Sequence, residues 1–238
     1  MKKLLVAGAV ASLMSATVMA EEEKSWAATA ELGGTMTTGN TETSTLVAKI
    51  DATHNLNEWV NNYYADVLYS KDDKEKTASR WKIGAKGDYV LDETSSIFVL
   101  GEHEQDEFST YDSVTSIAAG YSKNLFKSDT ATFDADLGPG MKFFDVKDGE
   151  SEKTGILHVG LSYENALSET SKFSQIFVSD IAFEDEKSTL SRSETAITAN
   201  IMGELAMKLG FIVRHDNNAA ADKKSVDTET TITLLYTF

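Results

Sequence analysis

The chain contains no cysteine and a single proline, Pro139. Without cysteine, neither disulfides nor thiolate metal sites can hold the fold together, whatever compartment it enters. The shortage of proline fits long hydrogen-bonded strands, because proline removes a ladder donor, whereas loop-rich secreted domains use it freely. Basic residues are also few: 22 Lys and Arg stand against 38 Asp and Glu, giving a formal charge of −16. Nucleic-acid binding needs a basic footprint, so no nucleic-acid partner is expected. Beyond residue 20 there is no run of about 18 apolar residues, so no helix can span a bilayer.

What is present begins at the C-terminus. In the stretch Thr228 to Phe238, Ile232, Leu234, Tyr236 and Phe238 share one face of an extended chain, while Glu229, Thr231, Thr233 and Thr237 share the other. A strand ending on a bare Phe resembles the C-terminal insertion signal of Gram-negative outer-membrane barrels, which the barrel-insertion machinery reads during assembly. A buried strand of a soluble sandwich is the competing reading. At the other end, Lys2 and Lys3 precede an apolar run from Leu4 to Val18, and Val18-Met19-Ala20 offers small residues to signal peptidase. Residues 1–20 therefore read as a cleaved secretory signal, leaving residues 21–238 as one domain. An exported chain that enters a membrane without a spanning helix must do so as a closed barrel, since only closure bonds every backbone group.

From Ser25 onward the hydrophobic period is two, and about twelve alternating segments are separated by short polar connectors. The pattern predicts an all-β fold, a closed antiparallel transmembrane barrel. Its phase turns a set of ionisable side chains into the lumen. Glu31 belongs to the first segment, Ser25 to Thr37; Lys49 and Asp51 to the second; Asp66 to the third, Glu58 to Ser70. Lys82, Lys86 and Asp88 follow in the fourth, Asp134, Asp136 and Lys142 in the seventh, and His158 in the eighth. Lys172 and Asp180 lie in the ninth, Lys208 and Arg214 in the eleventh, and Glu229 in the last. The fifth, Ser96 to Glu104, is apolar on both faces, with Glu102 and Glu104 assigned inward; the sixth spans Ser113 to Ser122 and the tenth Glu194 to Ile201. Charges at every second position are expensive in a soluble core but suit a wet lumen. Pro139, flanked by Gly138 and Gly140 on the outward phase, predicts a bulge or kink.

The connectors alternate in character. Lys71 to Lys76, Glu104 to Asp112, Lys147 to Lys153, Glu184 to Ser193 and Asp216 to Asp227 are long or charged, whereas His54 to Asn57, Leu91 to Ser95 and Met202 to Glu204 are tight. The longer set is expected outside the cell. Trp26, Trp59, Tyr89, Tyr163, Phe173 and Phe238 would form one aromatic girdle, and Tyr69, Phe143 and Phe183 the other.

The signal, the Trp26 strand with Gly33-Gly34, the Thr38-Gly39-Asn40-Thr41 turn, the Trp59 strand, Phe108, Gly120-Tyr121 and Gly138-Pro139-Gly140 together resemble the YdiY-like family of salt-induced outer-membrane proteins, whose function is unknown. The chain departs from that pattern after Phe108, where Tyr111-Asp112 replace a usual Arg. The resemblance implies an outer-membrane barrel with expression linked to salt, and it brings no catalytic residues.

Little here points to chemistry. His215-Asp216 is the one adjacent His-Asp pair, and a hydrolase with a site at the barrel rim is the enzymatic alternative. His158 has no second His at ligand spacing, so no metal or other cofactor is expected. The sequence thus predicts a monomeric barrel in the outer membrane of a Gram-negative bacterium, in contact with its lipid. It would act as a narrow channel or envelope-adaptation protein under salt or osmotic stress, or as a plugged structural barrel. An enzyme is not the expected reading.

Overall fold

Strands whose side chains alternate oily and wet have two faces to satisfy, and the chain meets both demands by rolling one sheet into a cylinder. The computed structural model describes residues 25–36, 43–73, 75–147, 149–184, 186–221 and 223–238. The signal segment and the Thr38–Thr41 turn lie outside the described residues. The elements in order are β1 (Trp26–Met36), β2 (Thr43–Leu56), β3 (Trp59–Asp72), β4 (Glu75–Asp92), β5 (Ser95–Asp106) and β6 (Tyr111–Lys127). They continue as β7 (Ala131–Val146), β8 (Glu152–Ser168), β9 (Ser171–Ala182), β10 (Leu190–Met202), β11 (Leu205–Asp216) and β12 (Val226–Thr237). Each strand pairs antiparallel with its sequence neighbours, and β1 closes the cylinder on β12.

The tight turns at residues 57–58, 93–94, 128–130, 169–170 and 203–204 share the near end with both ends of the barrel sequence, Trp26 and Phe238. The longer connections, including 107–110, 183–189 and 217–225, lie at the far end. Strands reach further into these connections than alternation alone suggests. Most of the charged stretch Lys71 to Lys76, expected as a loop, is ladder, because a paired neighbour remains available and both faces there can meet water.

The outer surface is apolar. Ile50, Ile83, Val99, Leu137, Leu209 and Ile232 are each at least 50 % exposed, far more oily surface than a water-facing monomer presents. The near-end girdle is made of touching rings: Trp26 stacks on His54 with centroids 4.1 Å apart, Trp59 meets Tyr89 at 5.4 Å, and Tyr163 sits between Phe133 and Phe173. One outward patch breaks the oily pattern: Gln175, Ser179, Ser191, Ser193 and Thr195. Gln175 donates to Ser193 at 2.9 Å and accepts from Thr195, and Ser179 bonds Ser191 at 2.8 Å, so these polar groups satisfy one another.

The expected bulge at Pro139 is absent. Ala118 faces Gly140 and Tyr121 faces Leu137 in one unbroken register; the ladder merely lapses between them. The irregularities of this strand pair lie instead between Tyr111 and Ser113 and between Asn124 and Phe126. The lapse brings two backbones together. A Cβ on Gly138 would stand 2.2 Å from the Ala119 carbonyl oxygen, and one on Gly120 would stand 2.2 Å from that of Leu137. Gly138→Ala is therefore expected to abolish assembly, whereas Gly101→Ala, whose Cβ would meet nothing within 4 Å, is tolerated. The heat-dependent gel shift of each refolded variant tests this, and a normally folding Gly138→Ala would show that the close approach does not matter.

Candidate functional site in the barrel lumen

The inward positions of neighbouring strands fall into register by charge. Glu31 on β1 faces Lys49 on β2, Lys49 faces Asp66 on β3, Asp66 faces Lys82 on β4, and Lys82 faces Glu104 on β5. This row alternates in sign across five strands, the arrangement that favours cross-strand pairs. Asp51 sits beside it, in the field of Glu31, Lys208, Lys49 and Asp66.

Other pairs join residues outside this row, several of them across the lumen. Lys86 on β4 reaches Asp136 on β7 at 2.8 Å and Asp88 on its own strand at 3.3 Å. Lys208 on β11 binds Glu31 at 2.9 Å and Glu194 at 3.1 Å, and Lys49 approaches Glu194 from the opposite wall at 3.6 Å. Arg80 on β4 donates to Glu229 on β12 at 2.9 Å, and Lys142 on β7 meets Asp180 on β9 at 2.6 Å. Asp180 also bonds Nδ1 of His158 at 2.7 Å, while Tyr64 donates to Glu102 at 2.7 Å. Among the described residues, the ion pair of Arg214 is with Glu104, at 3.8 Å.

Two expected lumen residues stand elsewhere on the same phase. Asp134, which accepts from Asn124 at 2.7 Å, and Lys172, which donates to Glu164 at 3.0 Å, are exposed at the near-end mouth, where the lumen meets water. The remaining predicted residues line the interior itself. Arg80, Arg192, Glu194 and Tyr64 join them although the sequence reading did not select them. Extending the alternation two residues before Lys82 finds Arg80, and two and three steps before Thr198 it finds Glu194 and Arg192.

The interior is filled unevenly. From the far end a cavity of about 430 Å³ descends past Phe108, Lys224 and Asp227 to Arg80, Arg192 and Arg214, ending at Lys82, Glu102, Lys142 and Asp180. Below it the lumen is crossed by packed side chains. Phe98 is 0 % exposed, its ring lies 5.7 Å from His158, and Lys86 stands 5.1 Å over its face. Glu31, Thr233 and Val47 are buried alongside. The septum is built from strand side chains, without any helix among the described residues.

Far-end loops contribute more than their length suggests. Ser188, in the connection 183–189, is 1 % exposed and bonds the Tyr111 hydroxyl at 2.6 Å, while Asn218 donates to the Glu186 carbonyl. In these loops the hydrogen bond from Lys76 holds the Glu107 carboxyl below its ordinary range, and the bond to Glu152 holds the Lys187 ammonium above its own. His215 and Asp216 leave β11 on opposite faces, and Asp216 accepts a bond from the Asn218 amide. Among the described residues, no group of three or more His, Asp or Glu side chains is arranged to hold a metal ion.

A family model described as "Protein of unknown function, DUF481" matches residues 30–238. The chain belongs to this family. It is similar to "Uncharacterized protein YdiY" of Escherichia coli (strain K12), with 23 % identity over 243 residues covering 98 % of this chain and 95 % of that one. Among solved structures, it resembles a NanC porin at a TM-score of 0.53 and 7 % identity, covering 87 % of this chain and 98 % of that chain. It also resembles the translocator domain of the autotransporter NalP from Neisseria meningitidis at 0.52 and 9 %, covering 97 % and 93 %. At such identities the likeness concerns the fold, and that fold is the closed transmembrane barrel.

The septum makes a stability prediction. Asp180→Asn would leave Lys142, 3 % exposed, without its counter-charge, a loss of about 3–5 kcal/mol. Pairing Asp180→Leu with Lys142→Met should recover most of it. Denaturant unfolding from lipid vesicles measures both, and an Asp180→Asn variant as stable as the parent would mean that this pair carries no weight.

Proposed function

We propose that this DUF481 protein is a narrow channel of the Gram-negative outer membrane for small polar or charged solutes, closed by its side-chain septum in the conformation described here. The observation that carries this reading is the charged cavity, which leads inward from the far end to a septum of ion pairs and one aromatic ring. A barrel meant only as a plug could be packed with apolar side chains at lower electrostatic cost. The likeness to a porin supports the same reading at the level of fold. The chain acts as a monomer, meets lipid through its apolar exterior, and enters the membrane through the insertion machinery that reads Ile232, Leu234, Tyr236 and Phe238.

The link to salt stress implied by the family resemblance has a physical counterpart. Partly exposed ion pairs such as Lys86–Asp136 weaken as salt shortens the Debye length from about 10 Å at 0.1 M to about 3 Å at 1 M. A septum made of such pairs opens more often in concentrated salt. The hydrolase alternative depends on His215 and Asp216, whose side chains diverge. An enzyme is not proposed.

Purified protein in planar bilayers should give small, intermittent conductance steps, with an open fraction that rises between about 0.1 M and about 1 M KCl. Silence at both concentrations would remove the channel reading in favour of a plugged barrel.

A further inference from the structure

In the far cavity three arginines converge without enough to bond. Arg192 and Arg214 are directly paired across β10 and β11 on the lumen face, so two like charges stand opposite each other, an arrangement that is destabilising on its own. Arg80 adds its positive field to theirs from β4. The Nε atoms of all three are buried and have no hydrogen-bond partner. Arg80 gives one terminal nitrogen to Glu229, and Arg192 gives one to Glu194. Arg214 makes no hydrogen bond at all among the described residues; its one ion pair, with Glu104, is at 3.8 Å. A guanidinium carries five donors in a rigid fork, and buried donors are normally satisfied. Three under-used forks around one cavity leave room for an acceptor that the described residues do not supply.

We propose that this far vestibule is a binding site for a small, hydroxylated, singly charged carboxylate, held by the forks of Arg214, Arg192 and Arg80. A planar carboxylate matches the fork geometry and receives two parallel bonds from it. Glu104 and Glu229, close beside the arginines, and Asp106, Asp216 and Asp227 elsewhere in the same wall disfavour a doubly charged phosphate. Ser116, on the lumen face opposite Lys142, and Ser225 line the cavity and suit a polyol body, and about 430 Å³ is room for a compound of roughly six carbons. The site names a solute class for the channel proposed above, but it is tested by binding and not by passage.

The probe is gluconate, with sorbitol as the neutral control and protonated glucosamine as the cationic one. Saturation-transfer NMR on the full, refolded chain in detergent should show saturable binding of gluconate, with sorbitol and glucosamine weaker by about tenfold or more. Arg214→Gln, checked for folding by its gel shift, should weaken gluconate by a similar factor, while Lys187→Gln, a loop cation paired with Glu152 away from the cavity wall, should not. Binding of gluconate no tighter than sorbitol, preference for glucosamine, or an unchanged affinity in folded Arg214→Gln would each overturn the proposal. Conductance failing while gluconate still binds would dismiss the channel and leave the site.

Discussion

Hydrocarbon offers no water to an unpaired peptide group, and this single constraint shapes the whole molecule. Every strand must find a partner on both edges, so the sheet has to close, and closure rests on the seam between β1 and β12. Among the described residues that seam has four paired positions, from Thr29 with Thr237 to Leu32 with Leu234, and a further bond from the Phe238 amide to the Ala28 carbonyl. Its tightness explains Gly33: a Cβ there would stand 2.5 Å from the Ile232 carbonyl oxygen. The glycines at Gly33, Gly120 and Gly138 mark places where backbones come too close for a side chain.

Closure sends alternate side chains into a space too charged to be a dry core. The protein resolves this by pairing charges along the strands' register and across the lumen. The pairs are not uniformly satisfied. The near half is crossed by a packed septum around Phe98, while the far half keeps a cavity with arginine donors to spare. This asymmetry, rather than the barrel itself, is what the proposed channel reading rests on.

Much of this was legible in the chain. Alternation alone located the strands, their number and their sidedness, because a period of two is insensitive to which strand lies beside which. The charge row from Glu31 to Glu104 was not legible as a row, since it appears only once register is known. Arg80 and Arg192 were missed because they lie just past the apolar stretch of their strands, where hydrophobic pattern fades while pairing continues. The outward Gln175, Ser193 and Thr195 defy the binary pattern altogether and are tolerated because they bond one another. Pro139 misled in a specific way: a missing donor was absorbed by two facing glycines instead of by an extra residue.

Sidedness is the claim on which everything else stands, and the absence of cysteine makes it directly measurable. A single nitroxide-labelled cysteine can be moved along β12 from Thr231 to Tyr236 in lipid vesicles, and its collision rate with dissolved oxygen read at each position. Lipid-facing sites should give maxima at Ile232, Leu234 and Tyr236 and lumen-facing sites minima at Thr231, Thr233 and Leu235. A flat profile, or maxima on the threonines, would contradict the account.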